Sequence, residues 1–464
     1  DTALITICRY SGEGYDRTGE KYDGDFYLSK EEEAMVKKVL SAEFKKVVVV
    51  LNTGGMMDTV WFKDNPSVNS VLLGWQGGME GGLATADILC GDVNSSGKLT
   101  DTFARSFDDY PSSETFNESD DYVCYTEDIY VGYRYFETIP GAAEKVCYPF
   151  GYGLSYTKFK LTDINAGCPD GKNITVDVTV HNVGKMAGKE VVQVYYSAPQ
   201  GKLGKPSRAL AAFAKTKLLK PGEFEKLTLN FKVNDMASYD DEGLIQKSAY
   251  ILEKGVYQIY VGTSVRDVVK APYEYFVESD VITQQLTERC APTALKQRML
   301  SDGSLKKLQS YKGEPEKTPE ELFNEVSDRI PPNGFEPLEC KWRAGNRKSA
   351  EDNALPKLED VAEGKILLDD FIKCLTDEQL IHLLGGQPNR GVANTYGMGN
   401  LPLYGIPNVM TADGPAGLRI RKECGVYTTA WPCATLLACT WDPQLVYEVG
   451  AAGAEEVKEN GMGI

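Results

Sequence analysis

Histidine is nearly missing: the 464 residues contain two, His181 and His382. They lie far apart, one in a strand pattern and one in a helix pattern. That argues against a histidine-based metal site and against a Ser-His triad, and each is most simply structural. No CxxC or HxxxH ligand spacing occurs. No run is apolar for long enough to span a bilayer, and no signal peptide is visible. Positive charge is also short, with 50 Lys and Arg against 67 Asp and Glu and a formal net charge of -17. Such an acidic surface disfavours nucleic acid and anionic membranes as partners, but leaves a neutral ligand open.

Tight cysteine pairs are missing as well. The 11 cysteines are an odd number, and only Cys433 and Cys439 are near neighbours. Cys8, Cys90 and Cys439 fall in apolar segments. The pattern predicts buried free thiols in a reducing, cytoplasmic setting rather than a disulfide framework. Asp1 leads almost directly into a strand, so an upstream segment is expected to be lost, and secretion stays open.

The length allows about three domains. The first feature with chemical content is Cys8 to Asp25, CRYSGEGYDRTGEKYDGD. It follows the strand end Ala3 to Ile7 and holds the carboxylate Glu13 between two glycines, with Tyr15, Asp16 and Arg17 beside it. Glycines let backbone approach a ligand closely, and in open α/β sheets ligands collect at the carboxyl ends of strands. A surface turn with a solvated glutamate is the alternative. Ser29 is a predicted N-cap with Glu32 as its capping-box partner, ahead of a helix through Leu40. Val47 to Leu51 is a fully apolar strand suited to a covered parallel sheet, and Val68 to Trp75 is the next. Gly77 to Gly82 then opens a helix over Leu83 to Leu89, giving the β-α-β-α order of an α/β domain. The glycine run either cradles an anion or permits close strand-helix packing. It lacks the spacing of a nucleotide loop.

Aromatics crowd the loop-like stretch up to Pro149, notably Tyr122, Tyr125, Tyr130, Tyr133, Tyr135 and Phe136. They suit carbohydrate stacking or a seam between domains, and the seam is preferred. From Thr157, alternating segments recur at Ile174 to Val180, Glu190 to Tyr196, Phe224 to Phe231 and Gly255 to Val261. They predict an all-β sandwich. A composition break at 270–354 reads as a connector with short helical pieces such as Thr293 to Leu300, punctuated by Pro315, Pro319, Pro331 and Pro332.

The last segment, 355–464, opens with a helix capped by Thr376 and ended by Gly385-Gly386. A strand over Pro407 to Ala412 leads into Asp413-Gly-Pro-Ala-Gly-Leu-Arg419. Asp413 and Arg419 could bind sugar hydroxyls by charge-assisted hydrogen bonds or form a structural ion pair at a tight turn. Trp441-Asp442 caps a further helix to Glu459. The sequence then stops where another strand is expected, so it reads as truncated at both ends or completed by another polypeptide.

The motifs SGEGYDR (Ser11 to Arg17), GDFYLS (Gly24 to Ser29), WQGGMEGG (Trp75 to Gly82), EDIYVGYRYF (Glu127 to Phe136) and YPFGYGLSYTKF (Tyr148 to Phe159) together resemble the family 3 glycoside hydrolases. The resemblance implies a multidomain α/β fold. An α/β sandwich domain (1–156) carries the acid/base loop. A fibronectin type III-like β-sandwich (157–269) and the connector (270–354) follow, then the N-terminal part of a (β/α)8 barrel (355–464). The family runs barrel first; here the barrel start comes last, as in a circularly permuted subgroup. By the same resemblance Glu13 is the general acid/base, and Asp413 and Arg419 bind substrate. The family's Ser-Asp-Trp-type nucleophile motif, Lys-His pair and pocket arginine do not occur and are expected beyond Ile464.

The implied activity is a retaining, exo-acting β-glycosidase, foremost a β-glucosidase acting on terminal β-D-glucosyl residues of oligosaccharides. A β-xylosidase or broad-specificity glycosidase, a glycoside phosphorylase and a non-catalytic carbohydrate-binding protein stay open. No metal or organic cofactor is needed. The implied partners are a β-linked oligosaccharide or glycoside and the remaining part of the same enzyme; a homo-oligomer is left open.

Overall fold

The computed structural model describes residues 1–10, 12, 17–287, 295–308, 355–389 and 391–463. The chain divides into two units, Asp1–Lys312 with Pro432–Val446, and Gly313–Trp431 with Tyr447–Ile464.

The first unit begins with a parallel sheet of β1 (Thr2–Cys8), β2 (Lys46–Asn52) and β3 (Ser70–Leu73), in that order. Parallel strands need a crossover, and the helix Lys30–Ser41 supplies it between β1 and β2. Its start is fixed locally: the Ser29 side chain accepts from the Glu32 amide at 3.2 Å, and the Ser29 amide donates to Glu32 at 2.9 Å. Ile5 and Ile7 from β1 meet Val47, Val49 and Leu51 from β2 and Val36 from the helix in one core. Each such burial stabilises by about 1.5–3 kcal/mol. The helix after the glycine run spans Gly81–Cys90 and is closed by Gly91 at φ 83°.

Of the three thiols expected to be buried, only Cys439 is; Cys8 and Cys90 are exposed. The period of two explains Cys8. Ile5 and Ile7 fill the inner face of β1, which puts Cys8 on the outer face with the exposed Leu4. Cys90 ends a helix none of whose residues is buried. None of the nine described cysteines is in a disulfide.

A β-sandwich follows in the same unit. One sheet orders Phe224–Lys232, Asn173–Asn182 and Phe159–Gly167; the other orders Val268–Val277, Gly255–Gly262, Val191–Ser197 and Ala209–Lys215. All these pairs are antiparallel. Ile174, Val176, Val178 and Val180 alternate inward against Val192, Val194, Ile259 and Val261. Val268–Val277 carries its ladder across residue 270, so the sheet ends later than the expected connector begins. Val281–Gln285 then pairs with Ala249–Leu252 in a separate three-stranded sheet, also beyond residue 270.

Within the expected helical piece, Gln297–Met299 is a strand, paired with Leu305–Lys307 around Gly303 at φ 84°. The ladder overrides good helix propensity. Arg298 pairs with Asp241 at 3.0 Å, Lys306 with Glu242 at 2.8 Å, and the Met299 amide donates to the Thr126 carbonyl at 2.7 Å. The four prolines of the expected connector lie outside the described residues.

The aromatic stretch does form a seam. Tyr133 stacks on Phe150 at 4.5 Å, meets Tyr195 of the sandwich edge-on at 6.2 Å, and its hydroxyl accepts from the Leu210 amide at 2.9 Å. The segment Pro432–Val446 packs here too. Its helix Ala434–Cys439 adds Cys439 to a cluster with Trp75, Phe103 and Cys147, and the Trp441 indole donates to the Lys98 carbonyl at 3.0 Å.

In the second unit, Phe371, Leu375, Leu401 and Tyr404 form a core among the helices Leu358–Ala362, Leu368–Ile372 and Asp377–Leu384. The Thr376 side chain caps the last of these by accepting from the Gln379 amide. The strands Gly397–Leu401 and Ile406–Met410 pair antiparallel. The parallel ladder that a barrel start implies is not among the described residues of this unit.

Candidate functional site

Glu13 lies outside the described residues, as do Ser11, Gly14, Tyr15 and Asp16. Arg9 and Arg17, on either side of them in sequence, are described, and each is held by an ionic bond. Arg9, the residue after β1, is buried and pairs bidentately with Glu32 at 2.6 and 2.7 Å. Its Nε also donates to the Asp25 carbonyl at 2.7 Å. Burial works to raise the Glu32 carboxyl, but the bonds from Arg9 and from the Ser29 amide overcome it and hold the group below its ordinary value. The Arg17 Nε pairs with the Asp25 carboxylate, whose second oxygen accepts from the Thr18 amide at 2.6 Å. Asp25 thus ties Arg9 to Arg17.

Arg17 then reaches across the turn that ends β2. A β-carbon on Gly55 would stand 2.8 Å from Arg17 Nη1, so a larger residue there would push the guanidinium aside. Both terminal nitrogens of Arg17 are buried without a hydrogen-bond acceptor.

Asp413 and Arg419 are brought together in the second unit. The strand Ile406–Met410 delivers the chain to Asp413, and the Arg419 amide folds back onto the Asp413 carbonyl at 2.8 Å. Gly417 makes this return possible: its φ is +126°, and a β-carbon would stand 2.2 Å from the Thr429 carbonyl. Arg419 Nη1 lies 3.4 Å from Asp413 Oδ2, with side chains 71% and 46% exposed. An ion pair that open contributes about 0–1 kcal/mol to stability.

A third residue, Asn394, completes the group and was not legible in the sequence. Its amide donates to Asp413 Oδ2 at 2.7 Å, and its Oδ1 accepts from the Asp413 backbone amide at 3.1 Å. Nineteen residues separate the partners, and no spacing rule links them. Both side-chain bonds to the carboxylate fall on Oδ2.

The two histidines fall in different units. His181 shares a hydrogen bond with Thr162 at 2.9 Å, and His382 one with the Asn400 carbonyl at 3.2 Å. Among the described residues no three of His, Cys, Asp or Glu are grouped so as to hold a metal ion, and no helix is long and apolar enough to cross a membrane.

A parallel α/β domain followed by an antiparallel β-sandwich defines a modular chain. Residues 1–156 match the glycosyl hydrolase family 3 C-terminal domain, and residues 190–265 match the fibronectin type III-like domain. All of this chain aligns with 60% of β-glucosidase A from Butyrivibrio fibrisolvens, at 50% identity over 507 residues. Ninety-nine per cent of it aligns with 46% of a β-glucosidase from Ruminococcus albus, at 37% identity. Among solved structures, a β-glucosidase from Paenibacillus barengoltzii superposes with a TM-score of 0.80 and 38% identity, covering 99% of this chain and 50% of that one. Residues 1–156 are thus similar to the C-terminal domain of family 3 glycosyl hydrolases. The chain spans about half to three-fifths of the length of these relatives.

Proposed function

We propose that this chain forms part of a β-glucosidase that hydrolyses terminal β-D-glucosyl residues by a retaining, exo-acting mechanism. The relatives named above are β-glucosidases, and 61% of the chain also aligns, at 43% identity, with the Thermotoga neapolitana β-glucosidase 3B whose structure holds α-D-glucose. The observation that carries the reading is the exposed Asp413 carboxylate, held through one oxygen by Asn394 and Arg419. Carboxylate and guanidinium groups bind vicinal sugar hydroxyls through charge-assisted bonds. In this reading Asp413 and Arg419 bind the terminal sugar, and the segment from residue 355 belongs to the start of a (β/α)8 barrel. The substrate is a β-linked oligosaccharide or glycoside, the setting is cytoplasmic, and the chemistry needs no metal or organic cofactor.

Glu13 is the general acid/base. It protonates the departing oxygen while a second carboxylate attacks the anomeric carbon, then deprotonates the water that releases the sugar. The attacking carboxylate is assigned to no residue of this sequence. Glu13→Gln in the full-length protein tests the assignment. Cellobiose, with a poor leaving group, should be cleaved about 10²–10⁴-fold more slowly. A dinitrophenyl β-glucoside, which needs no proton to depart, should lose far less in its glycosylation step. Slight and equal losses on both substrates would remove Glu13 from the acid/base role.

A further inference from the structure

The hydrogen bonds around Asp413 continue a register that the strand pair of the second unit begins. There Gly397 faces Met410, Met398 faces Val409 and Gly399 faces Asn408. The same pairing carried one step out sets Tyr396 opposite Thr411, where the Thr411 amide donates to the Tyr396 carbonyl at 3.4 Å. Two steps further it sets Asn394 opposite Asp413, where the Asn394 side chain donates to the carboxylate at 2.7 Å. Burial alternates along this stretch: Ala393 and Gly397 are buried, while Asn394, Tyr396 and Met398 are exposed. Side chains two residues apart in extended chain share a face. Tyr396 therefore stands on the face that carries the Asn394–Asp413 pair, one row, or about 7 Å, along it. It is 70% exposed.

An exposed tyrosine by itself is ordinary. One held a single row from a carboxylate that two side chains orient matches both halves of a sugar. A pyranose carries hydroxyls around its edge and axial C–H groups on its two faces. Asp413 and Arg419 can take the edge by charge-assisted hydrogen bonds, and a flat apolar ring beside them can take a face. We propose that Tyr396 is a specificity-determining contact for the terminal glucosyl ring, lying against the apolar face of the same sugar whose hydroxyls Asp413 and Arg419 bind. This role rests on the β-glucosidase reading of Asp413. It adds what a carboxylate and a guanidinium do not supply, a preference for a closed ring over an open-chain polyol of similar hydroxyl content.

Calorimetric titration of the full-length protein with D-glucose and with D-glucitol tests the role without turnover. Tyr396→Ala should weaken glucose binding about three- to tenfold and narrow the advantage of glucose over glucitol. Tyr396→Phe, which keeps the ring, should recover most of that loss. Truncating so exposed a side chain leaves no cavity, so thermal stability should be nearly unchanged in both variants. Glucose affinity that Tyr396→Ala leaves as it was overturns the proposal. So does a Tyr396→Phe variant as weak as Tyr396→Ala, because the contact would then be the hydroxyl and not the ring. Asp413→Ala separates the two readings. If it abolishes glucose binding while Tyr396→Ala has no effect, the sugar pocket stands and the role of Tyr396 falls. If both variants bind glucose as the wild type does, the pocket falls and the role of Tyr396 with it.

Discussion

Asn394 and Asp413 bind each other twice, side chain to carboxylate at 2.7 Å and backbone amide to side chain at 3.1 Å. The reciprocal pair fixes both the rotamer of the carboxylate and the path of the backbone that carries it. Asn394→Ala removes both bonds but leaves Arg419 in place. Hydrogen bonds to a charged group contribute about 1.5–3 kcal/mol. The variant should therefore lose about 10- to 100-fold in kcat/KM on cellobiose, carried mostly by KM, with thermal stability nearly unchanged. A loss confined to stability would make Asn394 a purely structural residue.

Asp25 joins Arg9, the residue after β1, to Arg17. Asp25→Ala frees Arg17, whose remaining nitrogens already lack acceptors, and removes the acceptor of the Thr18 amide. If Glu13 is the acid/base, as proposed, and this clamp helps to position it, kcat should fall about tenfold or more with KM little changed. The alkaline limb of the pH-rate profile, where the acid loses its proton, should shift as well, which a general loss of stability would not produce. Asp25→Asn keeps the acceptor of the Thr18 amide and should recover part of the rate.

How far the sequence announces this arrangement depends on the range of each interaction. The Ser29–Glu32 capping box and the Thr376 cap are three-residue devices and were legible as such. The sandwich strands were legible because period-two alternation records which face is buried. The strand at Gln297–Met299 was not, because its partner ladder and its acidic anchors at Asp241 and Glu242 are set by tertiary contact rather than by local pattern. The outward position of Cys8 likewise depends on which face of β1 is covered. Asp413 and Arg419 were found through the turn between them, whereas Asn394, nineteen residues away, could only be found in three dimensions.

The sandwich contains a buried ion pair, Lys205 with Glu253, at 2% and 5% side-chain exposure. Glu253 also accepts from the Lys202 amide at 2.7 Å, so removing the lysine leaves a charge with only neutral donors. Lys205→Met should destabilise the full-length protein by about 3–5 kcal/mol in denaturant unfolding. The double variant Lys205→Met, Glu253→Leu should recover a large part of that, because the uncompensated charge is gone. If the single and double variants lose equally, the penalty lies in packing and not in charge.

Lys215 provides the pH-dependent case. Its ammonium sits at the seam, donating to the carbonyls of Thr440 at 2.5 Å and Ser96 at 3.3 Å. Burial pushes its pKa down to about 8; Asp442 and Glu190 oppose the shift, while Lys189 and Lys98 add to it. Because the folded value lies below the unfolded one, the unfolded chain holds more protons between about pH 8 and 10.5. The penalty of the buried charge is thus fully present below pH 8 and fades as pH rises through that window. After allowance for partial solvent access, the change is on the order of 1–2 kcal/mol. Wild-type protein should gain on Lys215→Met in Tm between pH 7.5 and about 9.5, since all other titrations are common to both. A difference that stays flat or moves the opposite way would show that Lys215 keeps its ordinary affinity for the proton in the folded state.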